Sequence, residues 1–318
     1  MTNLAKNKID VSAVHSIAVM GECMLELSSL DTTEEHVKKL GFGGDTLNTS
    51  IYLTRTGHKV HYFTALGDDK HSNWMLTQWQ KEGIDTRFVK QLTGRVPGLY
   101  MIETDDTGER SFYYWRDSAP AREMLNTTAK ADALFDELMS FDFLYFSGVT
   151  LSLFNVQEHE RLIDFLQRYR QRGGMVAFDS NFRPQRWPDL DYAKDLFKRI
   201  YACVDLALPT LEDDLHLFSL ETTGELTNLL RRLGVNEIIV KQGAAGCLVE
   251  AGGDSQLVLC PSVDNVVDTT GAGDSFNAGY LSARLSGKNQ LEAAQRGHHY
   301  AGQVIQKRGA IVPIEAIR

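Results

Sequence analysis

The run Asp268-Thr269-Thr270-Gly271-Ala272-Gly273-Asp274-Ser275-Phe276 decides how this 318-residue chain is read. It follows the β-branched pair Val266-Val267, a strand end, and leads into a helical stretch from 275 to about 285. Small residues at a helix N-terminus leave backbone N–H groups unpaired. Those groups, with the positive end of the helix dipole, suit the charge that grows on a transferring phosphoryl group. An aspartate one residue past the second glycine lies beside that anion and can take a proton from an attacking hydroxyl. Gly271, Ala272 and Gly273 are thus the candidate anion hole, and Asp274 the candidate base. A chance G-x-G-D arises roughly once in ten chains of this length, so these four residues need support from elsewhere. The run is neither a dinucleotide-binding G-x-G-x-x-G nor a Walker loop. A glycine turn capped by an aspartate is its plain structural reading.

Outward from this run, short β-branched or aromatic segments recur at 16–20, 59–65, 143–147, 175–179, 206–208, 237–241 and 246–250, with helical stretches between them. That alternation predicts an α/β fold with a mostly parallel sheet flanked by helices. In 155–172, Val156, His159, Leu162, Ile163, Phe165, Leu166 and Tyr169 follow a period near 3.6, and Gly173-Gly174 stops the helix. Segments 98–103 and 111–116 break the alternation and read as a β-hairpin turning at 104–109. Its aromatics Tyr100, Phe112, Tyr113, Tyr114 and Trp115 exceed what a connector needs, so it is expected to be a lid; simple packing within a sheet is the competing reading. No internal repeat, low-complexity tract or linker marks a second domain.

Composition narrows the function. A formal net charge of −9 argues against a general nucleic-acid role, which needs a positive surface. An anionic substrate must therefore meet a local basic cluster. The N-terminal segment carries no apolar block before Ile17, and no run approaches the eighteen apolar residues of a membrane span. Cys23, Cys203, Cys247 and Cys260 form no C-x-x-C pair, which speaks against a zinc site or a disulfide framework. A cytoplasmic location is expected. His298-His299 are adjacent, so on a helix they diverge by about 100° and no zinc site is expected from them.

The string Asp268 to Phe276 closely resembles the C-terminal motif of the ribokinase-like carbohydrate kinases, and Gly41-Phe42-Gly43-Gly44-Asp45-Thr46-Leu47-Asn48 resembles their N-terminal motif. Two motifs so far apart, in the right order, remove the chance explanation. Within that family the chain is most similar to the kinases of 2-keto-3-deoxygluconate, through Met20-Gly21-Glu22-Cys23-Met24, Pro97-Gly98-Leu99-Tyr100, Phe112-Tyr113-Tyr114-Trp115-Arg116, Asp179-Ser180-Asn181-Phe182-Arg183-Pro184 and Arg308-Gly309-Ala310-Ile311-Val312-Pro313. The resemblance implies a Rossmann-like sheet with helices on both faces and one kinase domain over 1–318. It also implies a discontinuous small β-sheet lid, roughly 22–44 and 92–118, through which such kinases often form homo-oligomers. The reaction implied is ATP-dependent phosphorylation of the 6-hydroxyl of the acid sugar, with Mg2+. Neither nucleic acid nor membrane is an expected partner.

The same resemblance implies site roles residue by residue. Asp274 is the base and Gly271 to Gly273 the anion hole. Gly43, Gly44, Asp45 and Asn48 contact the sugar, and Tyr100, Tyr114, Arg116 and Arg183 hold its acid end. Lys241, Gly243, Gly246 and Thr269 lie on the nucleotide side, with Asn181 and His298 as further neighbours. Residue chemistry agrees in part. Asp45 and Asn48, three apart at a helix start, fall on one face, although Asp45 is equally a helix N-cap. Tyr114 and Arg116, two apart on a strand, share a face, and an arginine fork meets a carboxylate bidentately; a surface arginine is the plain alternative. Many relatives carry Asn-x-x-Glu where this chain has Thr210 and Asp213, so Asp213 is the candidate metal contact, through water. Ala310 stands where some kinases of this acid sugar have an acidic residue. A kinase for a neutral sugar or nucleoside, or a sugar-binding protein without catalysis, are the competing functions.

Overall fold

The computed structural model of the chain describes residues 11–29, 37–104 and 110–317. The expected hairpin turn, past residue 104, and part of the expected lid, 30–36, lie outside the described residues, as do residues 1–10. Nine strands form one sheet in the order β13-β12-β11-β10-β9-β8-β1-β4-β5. These are β1 Ile17–Met20, β4 Val60–Gly67, β5 Val89–Leu92, β8 Phe143–Ser147, β9 Met175–Asp179, β10 Leu206–Ala207, β11 Glu237–Lys241, β12 Cys247–Ala251 and β13 Asp254–Val258. Every pairing from β11 across to β5 is parallel; the β11–β12 and β12–β13 pairings are antiparallel, so β12 alone is reversed among these nine strands. The predicted mostly parallel sheet is present.

Side chains alternate between its two faces, as a strand's period of two requires. Ala18, Met20, Phe63, Leu144, Phe146 and Phe178 enter one apolar core. Val19, Tyr62, Phe143, Tyr145 and Ala177 enter the other. A sheet buried on both sides explains why its strands read as near-continuous apolar runs. The Val156–Gln171 helix covers the first face with Leu162, Ile163, Phe165, Leu166 and Tyr169. Each such side chain, fully buried, contributes roughly 1.5–3 kcal/mol. Asn155 and Glu158 cap its start reciprocally, and Gly173 at φ +94° ends it.

Four further strands, β2 Met24–Ser29, β3 Lys38–Gly43, β6 Leu99–Thr104 and β7 Arg110–Trp115, form a separate sheet in the order β3-β2-β6-β7. The register aligns Glu26 with Tyr100 and Tyr100 with Tyr114 across neighbouring strands, so the three share a face. On the other face Phe42 meets Trp74 edge-on at 5.6 Å and Trp79 at 6.3 Å, which joins this sheet to the main body. Phe112, Tyr113, Tyr114 and Trp115 are all exposed on the edge strand, so burial within the sheet does not account for them.

Candidate active site

Parallel order lines up the C-terminal ends of β1, β8, β9, β10 and β11 along one edge. Strands succeed β1 in one direction and β8 in the other, the arrangement in which an open α/β sheet leaves a crevice. Glu22 lies just beyond β1, Asp179, Ser180 and Asn181 at and after the end of β9, and Lys241 at the end of β11. Two helices begin at this edge, Asp45–Arg55 and Ala272–Leu285.

Each start depends on a glycine. Gly271 caps the Ala272–Leu285 helix at φ +75°, and a Cβ there would fall 2.8 Å from the Ala310 backbone. Gly44 caps the Asp45–Arg55 helix in extended conformation, where a Cβ would fall 2.2 Å from the Glu22 carbonyl oxygen. Asp45 is therefore the first helical residue and not the cap; its Oδ1 accepts from the Thr46 N–H at 2.8 Å. Asp268 folds the loop before Gly271 by accepting from the N–H groups of Thr270 at 2.8 Å and Gly309 at 2.7 Å. Thr269 contributes its carbonyl to the Ala272 N–H.

The two motifs meet in space. Asn48 Nδ2 donates to Asp274 Oδ2 at 2.8 Å, and Thr49 Oγ1 donates to the Asp274 carbonyl at 3.2 Å. Asn48 is buried, yet its Oδ1 has no hydrogen-bond partner, so an acceptor is left for a ligand hydroxyl. Burial of the Asp274 carboxyl pushes its pKa up to about 7; the charge of Asp45 adds to the rise and the Asn48 hydrogen bond opposes it. Behind Asp274, Lys241 Nζ donates to Asp179 Oδ2 at 3.0 Å and to Asn277 Oδ1 at 3.2 Å, and Asn277 Nδ2 donates to the same Asp179 oxygen at 2.7 Å. A Cβ on Gly273 would stand 3.7 Å from Lys241 Nζ, so the lysine's ammonium faces the glycine loop.

Other expected site residues are placed differently. Asn181, at φ +31°, donates from Nδ2 to Asp45 Oδ2 at 2.6 Å and so braces the start of the Asp45–Arg55 helix. Gly243 and Gly246 form the turn after β11, both at positive φ. His298 is buried with Nε2 3.2 Å from the Val258 carbonyl. Tyr100 is buried and its hydroxyl donates to Glu26; a Cβ on Gly43 would collide with that hydroxyl. β7 ends at Trp115, so Arg116 turns inward and is buried in an ion pair with Glu22, while Tyr114 stays half-exposed. Arg183 is exposed and pairs with Asp213 at 3.1 Å. Burial, partly offset by Arg183, raises the pKa of Asp213.

Asp179, Asn277 and Glu22 were not singled out as site residues. Asn277 is three residues after Asp274 and hence on the same helix face, a signal the spacing carries. Asp179 and Glu22 follow strand ends, where α/β sites collect. No group of three or more His, Cys, Asp or Glu side chains able to hold a metal occurs among the described residues. Mg2+ bound with ATP needs only one or two carboxylates, because phosphate oxygens and water fill its shell. The partly exposed carboxylate of Asp213 fits that modest demand.

The sequence matches the pfkB family carbohydrate kinases over residues 14–317. It is 44% identical over 310 residues to the 2-dehydro-3-deoxygluconokinase of Dickeya dadantii, covering 95% of this chain and 98% of that protein. Among solved structures it superposes on the 2-dehydro-3-deoxygluconokinase of Thermotoga maritima with a TM-score of 0.83 at 20% identity, covering 95% of this chain and 97% of that one. A candidate ribokinase II of E. coli, solved in complex with ATP and Mg2+, gives a TM-score of 0.82 at 20% identity over 96% of both chains.

Proposed function

This chain belongs to the pfkB family of carbohydrate kinases, and from that membership we propose how its site moves a phosphoryl group onto an acid sugar. The protein phosphorylates 2-keto-3-deoxygluconate with ATP. The 6-hydroxyl of the sugar faces Asp274. Its proton passes to the Asp274 carboxylate as the oxygen attacks the γ-phosphorus, and the bond to the leaving ADP oxygen breaks. A base whose pKa lies near 7 is matched to this transfer at neutral pH. Backbone N–H groups of Gly271, Ala272 and Gly273 take the charge on the transferring group. The Lys241 ammonium beside Gly273 adds a cation there.

Gly43 and Gly44 let the backbone at the sugar site pack against Tyr100 and Glu22, while Asp45 and the unpartnered Oδ1 of Asn48 accept the sugar's hydroxyl protons. Tyr100, Tyr114, Arg116 and Arg183 line its acid end. Thr269, Gly243, Gly246, Asn181 and His298 border the nucleotide. Asp213 would hold Mg2+ through water, and the ion supplies neutralisation of phosphate charge. The four-stranded sheet serves as lid on a single kinase domain spanning 1–318, and the exposed Tyr113 and Trp115 favour a homo-oligomer formed through it. Loss of self-association in Trp115→Ser, read by light scattering, tests that contact. No helix among the described residues is long and apolar enough to cross a membrane, and an ATP-consuming sugar kinase is at home in the cytoplasm.

The observation that carries this reading is the hydrogen bond between Asn48 of the N-terminal motif and Asp274 of the C-terminal one. The test is ADP release with magnesium-ATP against keto-deoxy acids, neutral hexoses and nucleosides. Turnover concentrated on the keto-deoxy acids supports it; equal or better turnover on neutral hexoses or nucleosides overturns it.

A further inference from the structure

Cations outnumber anions where the acid end of the sugar is held. Glu22 forms a buried ion pair with Arg116. The charges touch without alignment: neither carboxylate oxygen of Glu22, and neither Nε nor Nη2 of Arg116, makes a hydrogen bond. Two more arginines act on the same carboxylate. Burial raises the Glu22 pKa, and Arg116, Arg186 and Arg122 oppose that rise. Three guanidinium groups therefore act on the one buried Glu22 carboxylate, with Asp45 the further anion in reach.

Arg186 is the cation of this group that is held in one orientation while donors remain free. It follows the Asn181-Phe182-Arg183-Pro184 segment, in a short 3-10 turn closed by Trp187. Its Nε donates to Ser152 Oγ at 2.6 Å, which fixes the plane of the guanidinium. Its terminal nitrogens make no hydrogen bond or ion pair among the described residues. Arg183, by contrast, already holds Asp213. Burial, with repulsion from Arg116 next, pushes the Arg186 pKa down to about 10, and the Glu22 charge only partly offsets this. A partly buried cation held beside another cation is relieved by an incoming anion. The position suits a sugar ligand, because the Glu22 carbonyl lies against Gly44 and the Arg116 Cβ against Gly98, and Tyr114 is among the groups acting on Arg186.

We propose that Arg186 is a specificity-determining residue that receives the substrate's carboxylate together with Arg116, with Glu22 as the internal counter-anion that keeps Arg116 in place. The proposal rests on the acid-sugar reading of the same site. Ser152 is then a positioning residue, acting through Arg186.

The test compares 2-keto-3-deoxygluconate with 3-deoxyfructose, in which a hydroxymethyl group replaces the carboxylate, as substrate or competitive inhibitor. Wild type, Arg186→Gln, Arg186→Lys and Ser152→Ala are measured. Losing one charge-assisted contact corresponds to about a 10- to 100-fold change. Arg186→Gln should raise KM for the acid by that factor with little change in kcat, and leave the neutral analogue nearly unaffected. Arg186→Lys should recover part of the loss. Ser152→Ala, which keeps the charge and removes only its hydrogen bond, should give a smaller rise in KM for the acid alone, and it serves should Arg186→Gln fold poorly. An equal change for acid and neutral analogue, or an unchanged KM for the acid in both Arg186→Gln and Ser152→Ala, overturns the proposal. If the wild type turns over the acid normally and these variants match it, only this inference falls. If the wild type does not phosphorylate the acid, the functional reading falls and takes this inference with it.

Discussion

The two ends of the proposed sugar site are built on opposite principles. Around Asp274 all but one of the polar groups described are satisfied: Lys241, Asp179 and Asn277 close a hydrogen-bonded cluster, and Asn48 holds the carboxyl, with only its own Oδ1 left open. Around Glu22 the balance is left open, with buried atoms unpartnered and arginines in excess. Asp45 stands between the two, since its negative charge raises the pKa of both Asp274 and Glu22. The difference separates two tasks. A group that moves a proton must be held in one geometry before the substrate arrives. A surface that selects a charged substrate gains most from contacts the substrate alone completes.

The largest test of this contrast is at the closed end. Asp274→Asn should lower kcat by about 10²- to 10⁴-fold, with KM for the sugar changing only a few-fold, as steady-state kinetics will show. The same variant should be more stable than wild type at pH 8. The folded carboxyl is raised from 3.8 to about 7, so the folded state binds the proton more tightly than the unfolded chain. Stability is therefore lost as pH rises between those values. Asparagine removes that loss, for a gain of about 1–3 kcal/mol after allowing for solvent screening at a residue that is not fully buried. Thermal melts of both proteins at pH 5 and pH 8 should show the difference growing with pH.

At the open end, Glu22→Gln leaves Arg116 buried without its counter-anion and should destabilise the fold by about 3–5 kcal/mol. Saturating 2-keto-3-deoxygluconate should then raise the melting temperature more in the variant than in wild type, because the substrate carboxylate replaces the missing charge. Equal ligand-induced shifts would mean that the two ends do not differ in this way.

A finer probe is Asn48→Ala. Its hydrogen bond favours the ionised form of Asp274, so losing it should move the acidic limb of the pH–rate profile to higher pH. Loss of one such bond to a charged group amounts to about 1.5–3 kcal/mol, divided between that limb and sugar affinity. An unmoved limb would sever the link between the two sequence motifs.

Much of this architecture was legible before the structure. Strands β8, β9 and β11 lie where apolar runs predicted them, because a sheet buried on both faces leaves its composition plainly in the sequence. Two of the strands that were not read are of another kind. β3, Lys38–Gly43, carries two lysines and two glycines, and β13, Asp254–Val258, is a largely exposed edge strand; neither follows an apolar alternation. Within the site, Asp45, Asn48 and Asp274 were legible because helix spacing and a glycine cap fix their directions locally. Arg116 was placed with Tyr114 on an open strand face, yet the strand ends one residue earlier and a distant glutamate draws the arginine inside. Such a pairing depends on tertiary contact, and no local pattern carries it. Arg186 escaped notice for the same reason: its neighbours come from the segments after β1, after β7 and beyond β8.

The central claim, that Asp274 is the base at the closed end, is tested most directly by the pH dependence of kcat/KM on 2-keto-3-deoxygluconate from pH 5 to 9. Activity should fall below a pKa near 7 and stay flat above it, with the residual activity of Asp274→Asn lacking that limb. A wild-type profile flat through neutral pH, or a limb that survives in Asp274→Asn, would contradict it.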